Sequence, residues 1–429
     1  MPSDANLIDA ASPLRGDGVV FLDPQLAAGP AAHVLVVGVA AFAAPKYARL
    51  LDTATVSARR VADWFLRRGG GGGYDNPNCG LGSLAIVLSE TPDGKPADYA
   101  DGPVPRATFE ATKNALRKWV LRVQTHRDNL AILYVASHGE SFQGRTAFLL
   151  EDYGTDPLDA TAGMAEVEQF ISSINNSEAI RQLMIFDCCR NPTAAALPWD
   201  GDFGNKIITL TRRPNDHGIA RKQWVICSTT LGQVAFGRKG LPTLFNDALI
   251  DSLNGVAGDT SEEDWPVRPG LLVDRIDRIL SLQRLSADEK PQTPAGRMAG
   301  TFDITLPGER PEVPVYIGLE DPGDWPGATI TLKRPGAADV TVVGKEGESP
   351  FFKETVAERT AITVEASRGG GGIGSAAAKV RTPVTFVEVR RVPVAAPTVV
   401  GHLAAAAADG VAGGRLEVTI AGPMRAEAA

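Results

Sequence analysis

The sequence predicts an α/β protein, with a mostly parallel sheet sandwiched by helices and a smaller all-β, sandwich-like C-terminal domain. Three observations carry this. Short apolar runs recur up to about residue 306, each the length of a strand buried on both faces. Stretches with apolar residues at helical spacing lie between them. Beyond that point helical spacing stops, and short alternating runs separated by turn residues take over.

Residues 1–30 are polar and spotted with Pro and Gly, which predicts an N-terminal arm. His33–Val39 is the first strand. Residues 52–68 predict a helix, with Val61, Trp64 and Phe65 on one face and Gly69 to stop it. The glycine run Gly69–Gly73 lacks a following Gly-Lys-Ser/Thr, so it reads as a flexible loop rather than a phosphate loop. Leu84–Leu88 is the second strand. Residues 107–124 predict a helix with Leu116, Trp119, Val120 and Val123 on one face. Leu130–Val135 is the third strand, a helix follows near 165–175, and Leu183–Phe186 is the fourth strand. This alternation predicts a largely parallel sheet with helices on both faces.

Residues 190–222 break the rhythm with Pro198, Gly201, Gly204, Pro214 and Gly218. Trp224–Ser228 resumes a strand, helices are expected near 244–253 and 270–283, and the first domain closes around Gln292–Leu306. It spans 31–306. Prolines at 307, 311 and 314 mark the change to a second domain over 310–429. Its expected strands are Ala328–Lys333, Asp339–Val343, Ala361–Ala366, Thr385–Val389 and Arg415–Ile420. Gly369–Gly372 reads as a loop, and Ala404–Ala408 as low complexity. The composition break near Pro311 predicts that a 1–310 fragment folds alone.

Two strand ends carry chemistry-bearing residues. The run Leu183-Met184-Ile185-Phe186 stops at Asp187-Cys188-Cys189-Arg190, and the run ending at Val135 continues into Ala136-Ser137-His138-Gly139. Reacting groups in open α/β sheets sit at the carboxyl ends of strands. A Cys and a His at neighbouring strand tips suit nucleophilic catalysis, because the imidazole supplies thiolate character. Adjacent buried cysteines acting as small apolar residues are the plain alternative.

Composition narrows the partners. A net charge of −8 over 429 residues argues against a nucleic-acid partner. No apolar run approaches the roughly 20 residues of a membrane span, and the N-terminus lacks a signal-peptide pattern. The four cysteines do not form a disulfide framework, and His and Cys show no zinc spacing. The expectation is a cytoplasmic protein, in a compartment reducing enough to keep a thiol usable, with no cofactor and no metal.

The Cys189-Arg190 pair, with His138 about 50 residues upstream, resembles the caspase-like (clan CD) cysteine peptidases of the caspase/metacaspase superfamily, bacterial type. Both family motifs align the nucleophile with Cys189, so Cys188 should pack inward. The resemblance implies His138 as general base and acid, and Gly139 and Cys189 N–H groups as the oxyanion hole. Asp187 matches the metacaspase-like position that lines the P1 pocket and favours Arg or Lys. The segment Val225–Ala235, with Ser228, resembles the strand that lines the substrate cleft. Gly240–Phe245 and Gln292-Thr293-Pro294 resemble later family segments, so the likeness covers about 30–306. No third triad member is evident, and His33, His126, His217 and His402 match no motif.

The implied function is a cysteine endopeptidase cleaving proteins after Arg or Lys, in a bacterial defence or regulated-death setting. The alternative is a catalytically silent scaffold or interaction protein. In the peptidase reading the C-terminal domain would recruit a substrate or a regulator. Arg212 and Arg221 are the candidate self-cleavage points in the segment joining the two halves; cleavage after Arg213 is disfavoured by Pro214.

Overall fold

A computed structural model describes residues 18–392, apart from 24, 26–28, 45–51, 69–71, 101, 193–202, 212–220, 234, 284–291, 309–311 and 370. The first part contains β1 (Val19–Leu22), β2 (Ala32–Val39), α1 (Asp52–Phe65), β3 (Leu81–Ser89), β4 (Ala97–Tyr99), β5 (Gly102–Val104) and α2 (Phe109–Val123). Next come β6 (Leu130–Ser137), β7 (Gly139–Phe142), β8 (Arg145–Leu149), β9 (Met164–Glu166) and α3 (Val167–Ile174). They lead to β10 (Arg181–Cys188), β11 (Asn191–Pro192), β12 (Lys222–Cys227), α4 (Leu244–Asp251), a π-helical turn (Ser252–Val256), α5 (Pro269–Leu282) and β13 (Ala295–Met298).

The central sheet has the order β1-β3-β2-β6-β10-β12-β13. Its five inner strands are parallel, and β1 and β13 close the edges antiparallel. The inner strands are near-continuous apolar runs because both faces are covered. One face (Val36, Ile132, Tyr134, Ile185) packs on α1, α4 and α5 through Ala58, Val61, Phe245, Leu249 and Ile276. The other (Val37, Leu133, Met184, Phe186) packs on α2 and α3 through Trp119, Val120, Phe170 and Ile174. Threonines cap two of these helices: Thr108 accepts from Ala111 N–H at α2, and Thr243 from Asn246 N–H at α4.

The C-terminal strands are β14 (Glu312–Leu319), β15 (Ala328–Lys333), β16 (Val340–Val343), β17 (Phe351–Ala357), β18 (Ala361–Arg368), β19 (Gly371–Lys379) and β20 (Thr385–Val389). They form two sheets, β17-β14-β20 and β16-β15-β18-β19. Val315, Ile317, Ile330, Leu332, Val364 and Val387 fill one cluster between them. The alternation of β15 and β18 follows from having one face on that cluster and one in water.

Several expectations change. The N-terminal arm contains a strand: β1 pairs with β3, while 1–17 lie outside the described residues. A second sheet, β11-β7-β8-β9, grows from the His138 strand tip. Gly371 and Gly372 belong to β19 rather than a loop, and β14 and β17 were not anticipated. Positions 404–408 and 415–420 lie outside the described residues.

The expected independence of the first domain meets a physical objection. Tyr316 of β14 is 0% exposed and belongs to the same apolar cluster as α4 and α5. Alternation along β14 explains this: Val313, Val315 and Ile317 face the C-terminal cluster, and Tyr316 faces the other way. Tyr316 packs against Phe351 and Phe386, at ring centroids of 5.7 and 5.4 Å. The two parts share a core there.

Candidate active site

β6 and β10 are parallel, and their register ends with Cys188 opposite Ser137. The next residues, Cys189 and His138, therefore stand opposite each other at adjacent strand tips. Alternation assigns their faces. Tyr134 and Ala136 lie on the α1/α4 face with Ile185, so His138, Asp187 and Cys189 continue that face. Cys188 turns to the opposite face, is 3% exposed and packs in the second core cluster. Both Cys189 and His138 are partly exposed.

Burial favours the neutral form of both groups. Burial raises the Cys189 thiol above its ordinary value, an Ala235 N–H offsets part of this, and Asp187 nearby adds to the rise. Burial lowers His138, whose ring lies 5.3 Å from that of Phe42. Cys189 Sγ accepts the Ala235 N–H at 3.2 Å, on the β12 side. No hydrogen bond joins Sγ to His138 in this structure.

Gly139 is required by the meeting of the two tips. A Cβ there would lie 2.3 Å from Cys189 O and 2.9 Å from Cys188 Cβ. The missing side chain thus makes room for the Cys189 backbone. Leu149 N–H donates to His138 O at 3.0 Å, which makes Gly139–Phe148 a non-hydrogen-bonded pair and leaves Gly139 N–H outside the β8 ladder. Ser228 N–H donates to Phe186 O at 2.9 Å and Ser228 Oγ to Cys188 O at 3.1 Å. Those carbonyls face β12, so the Cys189 backbone turns towards β6, the side of His138 and Gly139.

Asp187 is 3% exposed. Its Oδ2 accepts hydrogen bonds from Tyr134 Oη at 2.8 Å and from Thr243 Oγ1. Its Oδ1 is buried and makes no hydrogen bond among the described residues. Burial pushes the carboxyl up to about 6, with the Thr243, Tyr134 and Ser228 hydroxyls pulling it back. The Ser228 hydroxyl lies between Cys188 O and the Asp187 carboxyl, and Oδ1 makes no hydrogen bond among the described residues.

Other expected positions fare differently. Ser228 is 0% exposed, and its carbonyl accepts from Gln292 Nε2 at 2.9 Å. Its N–H, hydroxyl and carbonyl are all used inside the protein, so it braces the strand tips from below rather than presenting a polar group to substrate. Arg190 is buried, donates to Thr146 Oγ1 and faces away from the tips. Arg221 donates to Asn175 O and Ser177 O, and Lys222 N–H bonds Ile180 O at 2.7 Å. The peptide after Arg221 therefore enters the sheet, which opposes cleavage there. Arg212 lies outside the described residues, as do His217 and His402. His33 is buried, bonds Ser83 Oγ at 2.9 Å and has its pKa lowered to about 3 by burial.

Sequence reasoning missed Tyr134 and Asn246, and it gave no role of their own to Thr243 and Ala235, which lie inside the segments Gly240–Phe245 and Val225–Ala235. Tyr134 carried a signal, as a hydroxyl inside an apolar strand run. Thr243 carried another, as the N-cap of a helix. Ala235 carried none. Among the described residues no cluster of His, Cys, Asp and Glu could hold a metal ion, and no helix is long and apolar enough to cross a membrane.

A parallel sheet with a thiol and an imidazole at adjacent strand tips is the frame of a cysteine peptidase. The chain belongs to the caspase-domain family, peptidase C14, whose model matches residues 33–292. At the level of that family it is a cysteine peptidase, which implies protein substrates. No curated protein matches the chain. Among solved structures, caspase-1 from Spodoptera frugiperda is similar at 10% identity, with a TM-score of 0.38; the match covers 63% of this chain and 86% of that one.

Proposed function

We propose that the chain is a cysteine endopeptidase that uses Cys189 and His138 as a dyad and cleaves after Arg or Lys. The observation that carries this is the placement of Cys189 opposite His138, with Asp187 on the same face two residues before the thiol. Cys189 Sγ attacks the scissile carbonyl while His138 takes the thiol proton. The oxyanion lies between the N–H groups of Gly139 and Cys189. His138 then protonates the leaving amine, the C–N bond breaks, and a thioester remains. Water, deprotonated by His138, hydrolyses the thioester and frees the thiol.

Asp187 receives the P1 cation. Its unpartnered Oδ1 supports this, since a guanidinium or ammonium would supply the missing donor. The thiol first has to leave Ala235 and turn towards His138, and catalytic hydrogen bonds often tighten only with substrate bound. Free Cys79, Cys188, Cys189 and Cys227 suit a reducing compartment such as the cytoplasm. Arg212 is the better self-processing point, because Arg221 is tied into the sheet. The C-terminal sheets are the place for a regulator or substrate to dock.

The Cys189–Ala235 contact favours a second reading, a silent scaffold with a parked thiol. A fluorogenic P1 library separates the two. Turnover of Arg and Lys substrates that disappears in Cys189→Ala is expected. Absence of turnover, with no labelling of Cys189 by a peptidyl thiol probe, overturns the peptidase reading, and a preference for Asp overturns the P1 assignment.

A further inference from the structure

Asp187 is held by a directed set of hydrogen bonds. Asn246 N–H donates to Thr243 Oγ1 at 3.0 Å, and Asn246 Nδ2 donates to Tyr134 Oη at 3.0 Å. Each hydroxyl has one proton, and with its acceptor side occupied it points that proton at Asp187 Oδ2. Asn246 Nδ2 also bonds Ser57 O at 3.2 Å, and Thr243 N–H bonds Ser57 Oγ at 2.9 Å, which ties the set to α1. Tyr134, Ser57 and Asn246 are 0% exposed. Both hydroxyls converge on one carboxylate oxygen and leave the other bare.

We infer that Tyr134, Thr243 and Asn246 are positioning residues of the P1 pocket, fixing Asp187 so that Oδ2 is satisfied and Oδ1 is reserved for the P1 cation. This rests on the reading that Asp187 receives P1. A carboxylate with both oxygens satisfied internally would gain little from a guanidinium. One with neither satisfied would be costly to keep ionised in a buried site. The observed division avoids both. α4 supplies two of the three residues from its N-terminus, so the placement of that helix sets the pocket's charge.

The groups that interact with Asp187 are Tyr134 from β6, Cys188 and Cys189 from its own chain segment, Ser228 after β12 and Thr243 at the start of α4, with Asn246 and Ser57 bonded behind them. None carries a positive charge. Hydrogen bonds from hydroxyls are then what favours the ionised carboxyl. Their loss raises its pKa, and binding of a P1 cation fades at a higher pH.

The test uses the full chain. Tyr134→Phe, Thr243→Val, Thr243→Ser and Asp187→Asn are compared on matched substrates with P1 Arg and P1 norleucine, after far-UV circular dichroism confirms folding. Tyr134→Phe and Thr243→Val should each lower kcat/KM for the Arg substrate about tenfold, through KM, and leave norleucine turnover near wild type. The acid limb for the Arg substrate should move to higher pH in both. Thr243→Ser keeps the hydroxyl and the helix cap and should restore the wild-type ratio. Equal losses on both substrates, or an unchanged acid limb, overturn the inference. If Thr243→Val does not fold, Tyr134→Phe decides alone. If Asp187→Asn leaves the Arg/norleucine ratio unchanged, the P1 reading itself fails. If it collapses the ratio while the hydroxyl variants do not, only the present inference falls.

Discussion

Tyr316 Oη donates a hydrogen bond to Asp251 Oδ2 at 2.6 Å. Lys353 Nζ donates to Asp251 Oδ1, also at 2.6 Å. Asp251 is the last residue of α4, and the cap at the other end of that helix is Thr243, which holds Asp187. One short helix thus spans from the C-terminal sheets to the strand tips. The 1–310 fragment loses Tyr316 from the core and leaves Asp251 without its two donors. Its thermal midpoint should fall well below that of the full chain, and adding 311–429 in trans should restore it. A fragment as stable as the full chain would show that the shared core contributes nothing.

The two adjacent cysteines should separate cleanly. Cys189→Ala abolishes peptide cleavage, and Cys188→Ala keeps most of it while losing about 1 kcal/mol of stability, a usual cost for trimming a buried side chain. His138→Ala should cost on the order of 10²-fold or more in kcat. A dead Cys188→Ala enzyme with normal folding would reverse the register assignment.

Gly139→Ala inserts a methyl group 2.3 Å from Cys189 O. Backbone on both sides has no flexible end to yield, so overpacking should cost about 1–3 kcal/mol. Activity should fall further than stability, because the tips must spread. Urea unfolding and turnover, measured on the same preparation, check both. Wild-type stability would mean the tips are looser than their packing implies.

Resting Cys189 should alkylate as a slow, protonated thiol. Its pKa is raised and that of His138 lowered, both by burial, and both shifts oppose a thiolate–imidazolium pair. The iodoacetamide rate in substrate-free protein should climb on through the ordinary thiol range. A plateau already reached at pH 6–7 would indicate a preformed ion pair.

Asp187 should make acid pH stabilising locally. Its pKa is about 6 when folded against 3.8 for the ordinary carboxyl, so the folded state binds the proton more tightly. The contribution is fully present below the unfolded value and is lost as pH rises through about 6. It amounts to at most about 3 kcal/mol. Wild type should therefore gain more stability than Asp187→Asn between pH 7 and pH 5. Parallel curves for the two would remove the buried charge as a destabilising feature.

Local sequence determined the strand cores, the helix faces and the identity of the two chemical strand tips. Burial on both faces writes itself as an apolar run such as Leu130–Val135, and period-two alternation puts Cys188 and Cys189 on opposite faces, although the choice of Cys189 came from the family motifs. The edge strand Val19–Leu22, the β7–β9 sheet and the strands at 312–319 and 351–357 were not legible. Most of their pairing depends on distant partners rather than on local pattern; β7 and β8 are the exception, a hairpin across Gln143-Gly144. The same holds for chemistry. Nothing local says that Thr243 and Asn246 reach Asp187 across the fold, that Ser228 spends all its polar groups inside, or that Ala235 holds the thiol. Those facts belong to hydrogen bonds between residues far apart in the chain, and only the packing of α4 and the β12 loop onto the strand tips decides them.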